Sequence, residues 1–273
     1  MKIGMILDAP FPTDPRVTNE AKVLKNSGHE VFLFCLSFKN KFITNEIIEG
    51  INIVRFHCDW LTYKLSALAY TFPFYKWIMS KKIKKFINNY KIDVLHVHDI
   101  QIASSVYSAN SKTQLDIVLD LHENRPEIMK YYKHVNSFLG KLLISPLKWK
   151  NAEEKYCKIS NSVVVVTELA KKELIERTKI DKKKVIVFSN SVSKSFYSKI
   201  KFDQQILKKY SKYFVLLYLG NTSKRRGLMT VLKSVPEIIK TVPNFKFIIV
   251  GSSSFDNELL KMSETLNILK YID

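Results

Sequence analysis

Two short segments pair histidine with carboxylate: His96-Val97-His98-Asp99 and Asp120-Leu121-His122-Glu123. An imidazole beside an acid can move a proton, orient a reacting oxygen or hold a metal. Each segment closes an apolar run, residues 92–97 and 117–121. Such runs read as buried parallel strands, which deliver their ends to the carboxyl edge of an open sheet, where ligands bind. Side chains alternate along a strand, so His96 and His98 share one side. The spacing of these histidines and acids matches no zinc pattern, and no metal ligands are assigned from it. Further polar groups with chemical potential are Asp14-Pro15-Arg16, the turn Ser189-Asn190-Ser191-Val192, and the loop from Gly220 to Gly227 with Gly251 beyond it.

The elements that must position these groups follow from periodicity. An apolar run at 3–7, a Pro- and Asp-rich turn, a helical pattern at 17–24, Gly28-His29 and a second apolar run at 31–36 make a βαβ unit. Asp14 suits the cap of that helix, Pro15 its first position, and Arg16 an i,i+4 pair with Glu20. Further strands are predicted at 51–56, 162–167 and 185–188, with a long helix at 138–158 and another at 168–178. The run Ser-Val-Val-Val-Val-Thr at 162–167 reads as a strand buried on both faces. Between Trp60 and Tyr90 aromatic and aliphatic residues interleave with lysines, and Met79, Ile83, Phe86, Ile87 and Tyr90 fall at helical spacing. Two readings of that stripe stay open: an interfacial helix on an anionic membrane, or a helix packed on the sheet with solvated lysines. Residues 193–212 have little periodicity and read as a linker. The pattern restarts with strands at 213–219 and 245–250, a helix at 226–241 between them, and a short third strand near Ile268.

The chain carries a formal charge of +19, of which +3 lies from Phe214 onward and +16 in the first 213 residues. A basic front of this kind suits an anionic lipid or a phosphorylated substrate, and no nucleic-acid recognition motif accompanies it. No G-x-G-x-x-G follows the first strand, which disfavours a nicotinamide dehydrogenase. Three widely spaced cysteines, Cys35, Cys58 and Cys157, and a start without a signal-peptide pattern point to the cytoplasm, with Cys35 in the core. No apolar stretch reaches the ~20 residues of a spanning helix.

Taken in order, D-P-R-V-x-x-E-A at 14–21, G-H-E-V at 28–31, H-V-H-D, D-L-H-E, S-N-S-V and Y-L-G-N-T-S-K-R-R-G-L at 218–228 followed by I-I-V-G make a pattern. That pattern resembles the family 4 retaining glycosyltransferases of the GT-B fold. The resemblance implies an α/β protein of two Rossmann-like domains facing each other across a cleft: an acceptor-side domain at 1–195, a linker at 196–212 and the start of a nucleotide-sugar domain at 213–273. It implies transfer of a sugar, with retention of configuration and no metal or other cofactor, from a nucleotide-sugar to a glycan or lipid-linked acceptor in cell-surface polysaccharide synthesis. The location implied is cytoplasmic, peripheral on the inner membrane face. By the same resemblance His122 is the catalytic histidine near the donor sugar. Asp14, Arg16, His98, Asp99 and Glu123 lie on the acceptor side. Asn190, Gly220, Asn221, Arg226 and Gly227, with Gly251, contact the donor, Arg226-Gly227 standing where the family commonly has Lys-Gly on the diphosphate.

Three departures accompany the match. Ala9-Pro10-Phe11-Pro12 replaces a first-loop glycine pair, Asn221 stands where many relatives have arginine, and the late E-x7-E motif is not reached before Asp273. Glu168 and Glu176 have that spacing but read as a solvated helix face in the first domain. The second domain is therefore expected to be incomplete, and a catalytically inactive fragment or scaffold is the alternative reading. The geometric expectation is that Arg16, His122 and Asn190 share one mouth of the sheet.

Overall fold

A computed structural model describes residues 1–39, 43–192, 194–198 and 200–273. Ser193 and Lys199, which fall in the stretch read as a linker, lie outside the described residues. The chain divides into two compact units, Met1–Ser193 and Lys194–Asp273.

The first unit is built on an eight-stranded sheet of order β3-β4-β2-β1-β5-β6-β7-β8. Its strands are β1 (Lys2–Leu7), β2 (Glu30–Ser37), β3 (Thr44–Ile48), β4 (Ile51–His57), β5 (Val94–His98), β6 (Asp116–Leu121), β7 (Ser162–Val165) and β8 (Val185–Val187). All pairs are parallel except β3 with β4. Strand β3 was not expected: its segment Thr-Asn-Glu-Ile-Ile lacks alternation, and its exposed edge position asks for little apolar surface. The strand order reverses between β1 and β5. A crevice forms at such a switch point because the crossovers on its two sides diverge.

Helix Pro15–Asn26 starts as its sequence dictates: the Asp14 side chain accepts from the Arg16 amide, and Pro15 occupies the first turn. Cys35 and residues 163–165 are buried as expected. The predicted helix at 138–158 is broken into Phe138–Leu143 and Pro146–Ile159. Pro146 cannot donate to a preceding turn and holds Ser145 extended, so the chain restarts there with the Ser145 hydroxyl as cap. Helix Phe74–Tyr90 turns Tyr75, Met79, Ile83, Phe86 and Ile87 into the core. That stripe packs on the sheet and is not available to a membrane. Glu168 and Glu176 are exposed.

In the second unit β9 (Phe214–Leu219) and β10 (Phe245–Val250) pair in parallel, joined by helix Leu228–Thr241. Leu228, Leu232, Val235, Phe245, Phe247, Leu259 and Ile268 form its core. The stretch expected to be an irregular linker carries helices Lys194–Ser198 and Gln204–Tyr210, the second capped by Asp203. Near Ile268 there is a short 3-10 turn, Leu269–Tyr271, and a single bridge from Ile272 to Phe247 rather than a strand.

Candidate active site

At the carboxyl edge of the first unit's sheet, side chains from the first helix, β5 and the end of β6 meet on one buried carboxylate, and the turn after β8 joins them through Arg16. Asp120, near the end of β6, is fully buried. Arg16 grips it with both arms of its guanidinium, Nη2 to Oδ1 at 2.6 Å and Nε to Oδ2 at 3.2 Å. The remaining Nη1 of Arg16 donates to the Phe188 carbonyl at 2.8 Å and to Asn190 Oδ1 at 3.1 Å. One planar fork thus ties the first helix to β6 and to the turn after β8, a geometry a lysine cannot reproduce. His122 lies beside the same carboxylate, its Nε2 3.1 Å from Asp120 Oδ2 and its Nδ1 3.4 Å from Asp14 Oδ2.

These contacts set the protonation of the site. Burial alone would strip the proton from His122, but bonds to Asp120 and Asp14 outweigh it and lift the imidazole to about 10. Asp14 is lowered chiefly by its hydrogen bond to His122. Burial works to raise Asp120, yet His122, His98 and Arg16 hold it well below the usual carboxylate range. His122 therefore stands at the mouth as an imidazolium, 17% exposed, its two N–H groups turned to Asp120 and Asp14 and its positive charge open to an anionic oxygen.

Beneath it, His98 Nδ1 lies 3.1 Å from His122 Nε2, and the His96 ring lies tilted against that of His98, their centres 4.5 Å apart. Burial keeps both inner imidazoles neutral: His96 falls to about 3, and His98 is lowered too. Glu20 approaches Arg16 Nε at 3.0 Å, the i,i+4 pair expected from sequence. Burial and the Asp120 charge raise its carboxyl.

Asp14, Arg16, His98, His122 and Asn190 are thus brought together. Asp99 and Glu123 gather instead on Arg125, Asp99 by a short ion pair and Glu123 at 3.6 Å. Within the second unit, Gly220, Asn221, Arg226, Gly227 and Gly251 lie on the loops after β9 and β10. The Gly220 amide donates to Val250 O, and Asn221 Nδ2 to Ser252 O. Gly251 has φ +150°, and a Cβ there would overlap the Gly220 carbonyl. Arg226 is exposed, and helix Leu228–Thr241 begins without a side-chain cap.

Asp120, Glu20, His96 and Asp8 were not singled out as site residues from sequence. The signal for Asp120 was present: an acid inside an otherwise apolar run, two positions before His122 and so on the same face. Asp8 follows β1, and is buried against Tyr75 and Gln101.

The family description "Glycosyltransferase Family 4" matches residues 16–196, and "Glycosyl transferases group 1" matches residues 199–272. The chain is 22% identical over 285 residues to the alpha-monoglucosyldiacylglycerol synthase of Acholeplasma laidlawii, covering all of this chain and 69% of that protein. It is 22% identical over 262 residues to the phosphatidyl-myo-inositol mannosyltransferase of Mycolicibacterium smegmatis, covering 94% and 60%. Among solved structures, the sucrose-phosphate synthase of Thermosynechococcus elongatus superposes with a TM-score of 0.71 at 12% identity, covering 100% of this chain and 69% of that one. A glycosyltransferase from Rickettsia africae gives 0.66 at 19%, covering 100% and 67%. At such identities the superpositions speak to the fold, which is that of the GT-B enzymes. By its sequence match over both units, the chain belongs to glycosyltransferase family 4.

Proposed function

We propose that this protein moves a sugar from a nucleotide-sugar to a lipid-linked or glycan acceptor, with retention of configuration, in the making of a cell-surface polysaccharide. The observation that carries the proposal is the meeting of Arg16, His122 and Asn190, up to 174 positions apart in sequence, at one mouth of the first unit's sheet. His122, kept cationic by Asp120 and Asp14, lends its positive charge to the departing phosphate and so favours the charge that develops there. Asp14, Arg16 and the groups gathered on Arg125 shape the acceptor side. Gly220, Asn221, Arg226, Gly227 and Gly251 hold the nucleotide-sugar. Arg226 and the uncapped amides opening helix Leu228–Thr241 meet the diphosphate, since a helix start is an anion site.

A lipid-linked acceptor is supported by two features. The names of both curated relatives specify lipid products or acceptors. The first unit also exposes Trp60, Leu61, Phe74 and Trp77, with exposed Lys64, Lys81, Lys84 and Lys85 in the same 60–90 region. Aromatics beside lysines suit the interface of an anionic leaflet, on its cytoplasmic side.

The test is to incubate the full chain with a panel of radiolabelled nucleotide-hexoses and extracted membrane lipid, and to assign the product anomer by NMR. An anomer matching the donor's supports the proposal. Binding of no nucleotide-sugar in calorimetry, together with no product, counts against it.

A further inference from the structure

We infer that a cavity on the acceptor side of the first unit receives a neutral pyranose ring, so that the acceptor is itself a sugar. The inference rests on the sugar-transfer proposal, because it takes this side of the unit as the acceptor's. The cavity measures about 480 Å³ and is walled by Tyr63, Gln101, Arg125 and Trp149 among others. Pockets for small ligands span ~300–1,000 Å³, so a sugar ring fits with room to spare. Arg125 joins the cavity to the mouth described above. Its guanidinium pairs with Asp99, and the Asp99 amide donates to the Asp120 carbonyl at 2.8 Å.

The walls select the ligand by shape, by hydrogen bonding and by charge. Tyr63, Tyr132 and Trp149 supply aromatic surface, while Ala67 and Met129 are the aliphatic lining. The electron-rich face of an aromatic ring suits the polarised C–H face of a pyranose; an acyl chain asks for a mostly aliphatic wall instead. Hydrogen-bonding groups stand around these rings. Trp149 is 1% exposed, and its Nε1 is buried without a hydrogen-bond partner among the described residues, as is Arg125 Nε. Glu123 Oε1, at 3.6 Å from that Nε, is too far to accept. Unpaired buried donors are rare and call for an acceptor oxygen. Gln101 Nε2 donates to Asp8 Oδ2 at 2.7 Å and to Ser66 Oγ at 3.0 Å, which fixes the amide and leaves Oε1 to accept. A sugar hydroxyl both gives and takes, and so answers donors and acceptor together. The charge argument removes an anionic ligand. Asp99 and Glu123 already answer Arg125, and Lys64 is exposed, its Nζ lying 5.4 Å from the centre of the Trp60 ring.

Saturation-transfer NMR on the full chain, with the methyl glycosides of glucose, galactose and mannose as probes, reads ring binding without any sugar transfer. At least one glycoside is expected to take up saturation. Tyr63→Ala and Gln101→Ala are each expected to weaken its binding roughly 5- to 10-fold, with melting curves that stay cooperative. A second arm presents the same ring on diacylglycerol in phosphatidylcholine vesicles, against plain diacylglycerol. Sedimentation favouring the glycosylated lipid, and lost in Tyr63→Ala, supports a ring carried on lipid; glycoside binding without that preference supports a soluble glycan. Saturation of no glycoside, or saturation that both variants keep in full, overturns the assignment. A chain that binds a nucleotide-sugar in calorimetry but no glycoside fails this inference alone and leaves the sugar-transfer proposal standing.

Discussion

Arg16 and Asp120 form a two-armed ion pair, 2.6 Å and 3.2 Å, with the carboxylate fully buried and the guanidinium nearly so. Removing the cation leaves Asp120 and Glu20 facing each other in a poorly solvated pocket. Loss of one partner of a buried pair costs about 3–5 kcal/mol. Arg16→Ala is therefore expected to lower unfolding stability by that order. Arg16→Lys, which keeps charge but not the fork to Phe188 and Asn190, should lose less. Urea titration of the two variants checks the order, and a loss under 1 kcal/mol in Arg16→Ala contradicts the buried-pair account.

His122 is a different kind of residue in the same cluster. It is partly exposed and bonded through both nitrogens, so its loss should spare the fold and remove a stabilising positive charge. If it serves the reacting centre, His122→Ala should cut sugar transfer by about 10²-fold or more, the range for one such donor. The melting curve should stay cooperative. Turnover equal to wild type takes His122 out of the site.

Most of the first unit was legible because buried parallel strands write themselves as apolar runs and crossovers leave capping signals such as Asp14-Pro15. What escaped had physical reasons. β3 is an exposed edge with no alternation, and the break at Pro146 hides inside an otherwise amphipathic pattern. Of the site residues that sequence marked, His98, His122 and Asn190 lie at or just after strand ends, and Asp14 and Arg16 open the first helix. Asp120, on which they centre, lies within a strand, where one acid in a hydrophobic run gives no sign of its partner 104 positions away. The stripe of Met79, Ile83 and Phe86 fitted either of two readings, since periodicity tells that a helix has an apolar face but not what covers it.

Asp8 gives a pH dependence. Burial raises its carboxyl from the ordinary 3.8 to about 7, against the opposing hydrogen bonds from Tyr75 and Gln101. Between those two values the folded protein holds a proton that the unfolded chain has released. Stability from this group is thus fully present below pH ~4, falls as pH rises through the window, and levels off above ~7. The drop is about 4 kcal/mol. Denaturation midpoints measured from pH 4 to 8 should decline less in Asp8→Asn than in wild type. Parallel curves for the two proteins would show that Asp8 ionises normally in the fold.

In the second unit, Gly251 and Gly220 approach too closely for any side chain at Gly251, and φ +150° disfavours one in any case. Gly28 has φ +84° but open space around its missing Cβ. Gly28→Ala should therefore cost only about 1 kcal/mol of backbone strain. Gly251→Ala must move the loops after β9 and β10 apart, and is expected to abolish nucleotide-sugar binding measured by calorimetry. Equal affinities in the two variants would mean that those loops do not hold the donor.

The aromatic surface of the first unit makes the last prediction. Trp60 is 63% exposed, Leu61 71% and Trp77 55%, a large apolar outlay on one region of a folded unit. Among the described residues no helix is long and apolar enough to cross a membrane. The exposed Lys64, Lys81, Lys84 and Lys85 each add roughly 1 kcal/mol near an anionic surface. The chain should sediment with vesicles containing phosphatidylglycerol and not with pure phosphatidylcholine. Salt should weaken the lysine part, while Trp60→Ser with Trp77→Ser should weaken the remainder at any salt. If the double variant sediments like wild type and high salt releases both completely, the attraction is electrostatic alone and the tryptophans do not enter the bilayer.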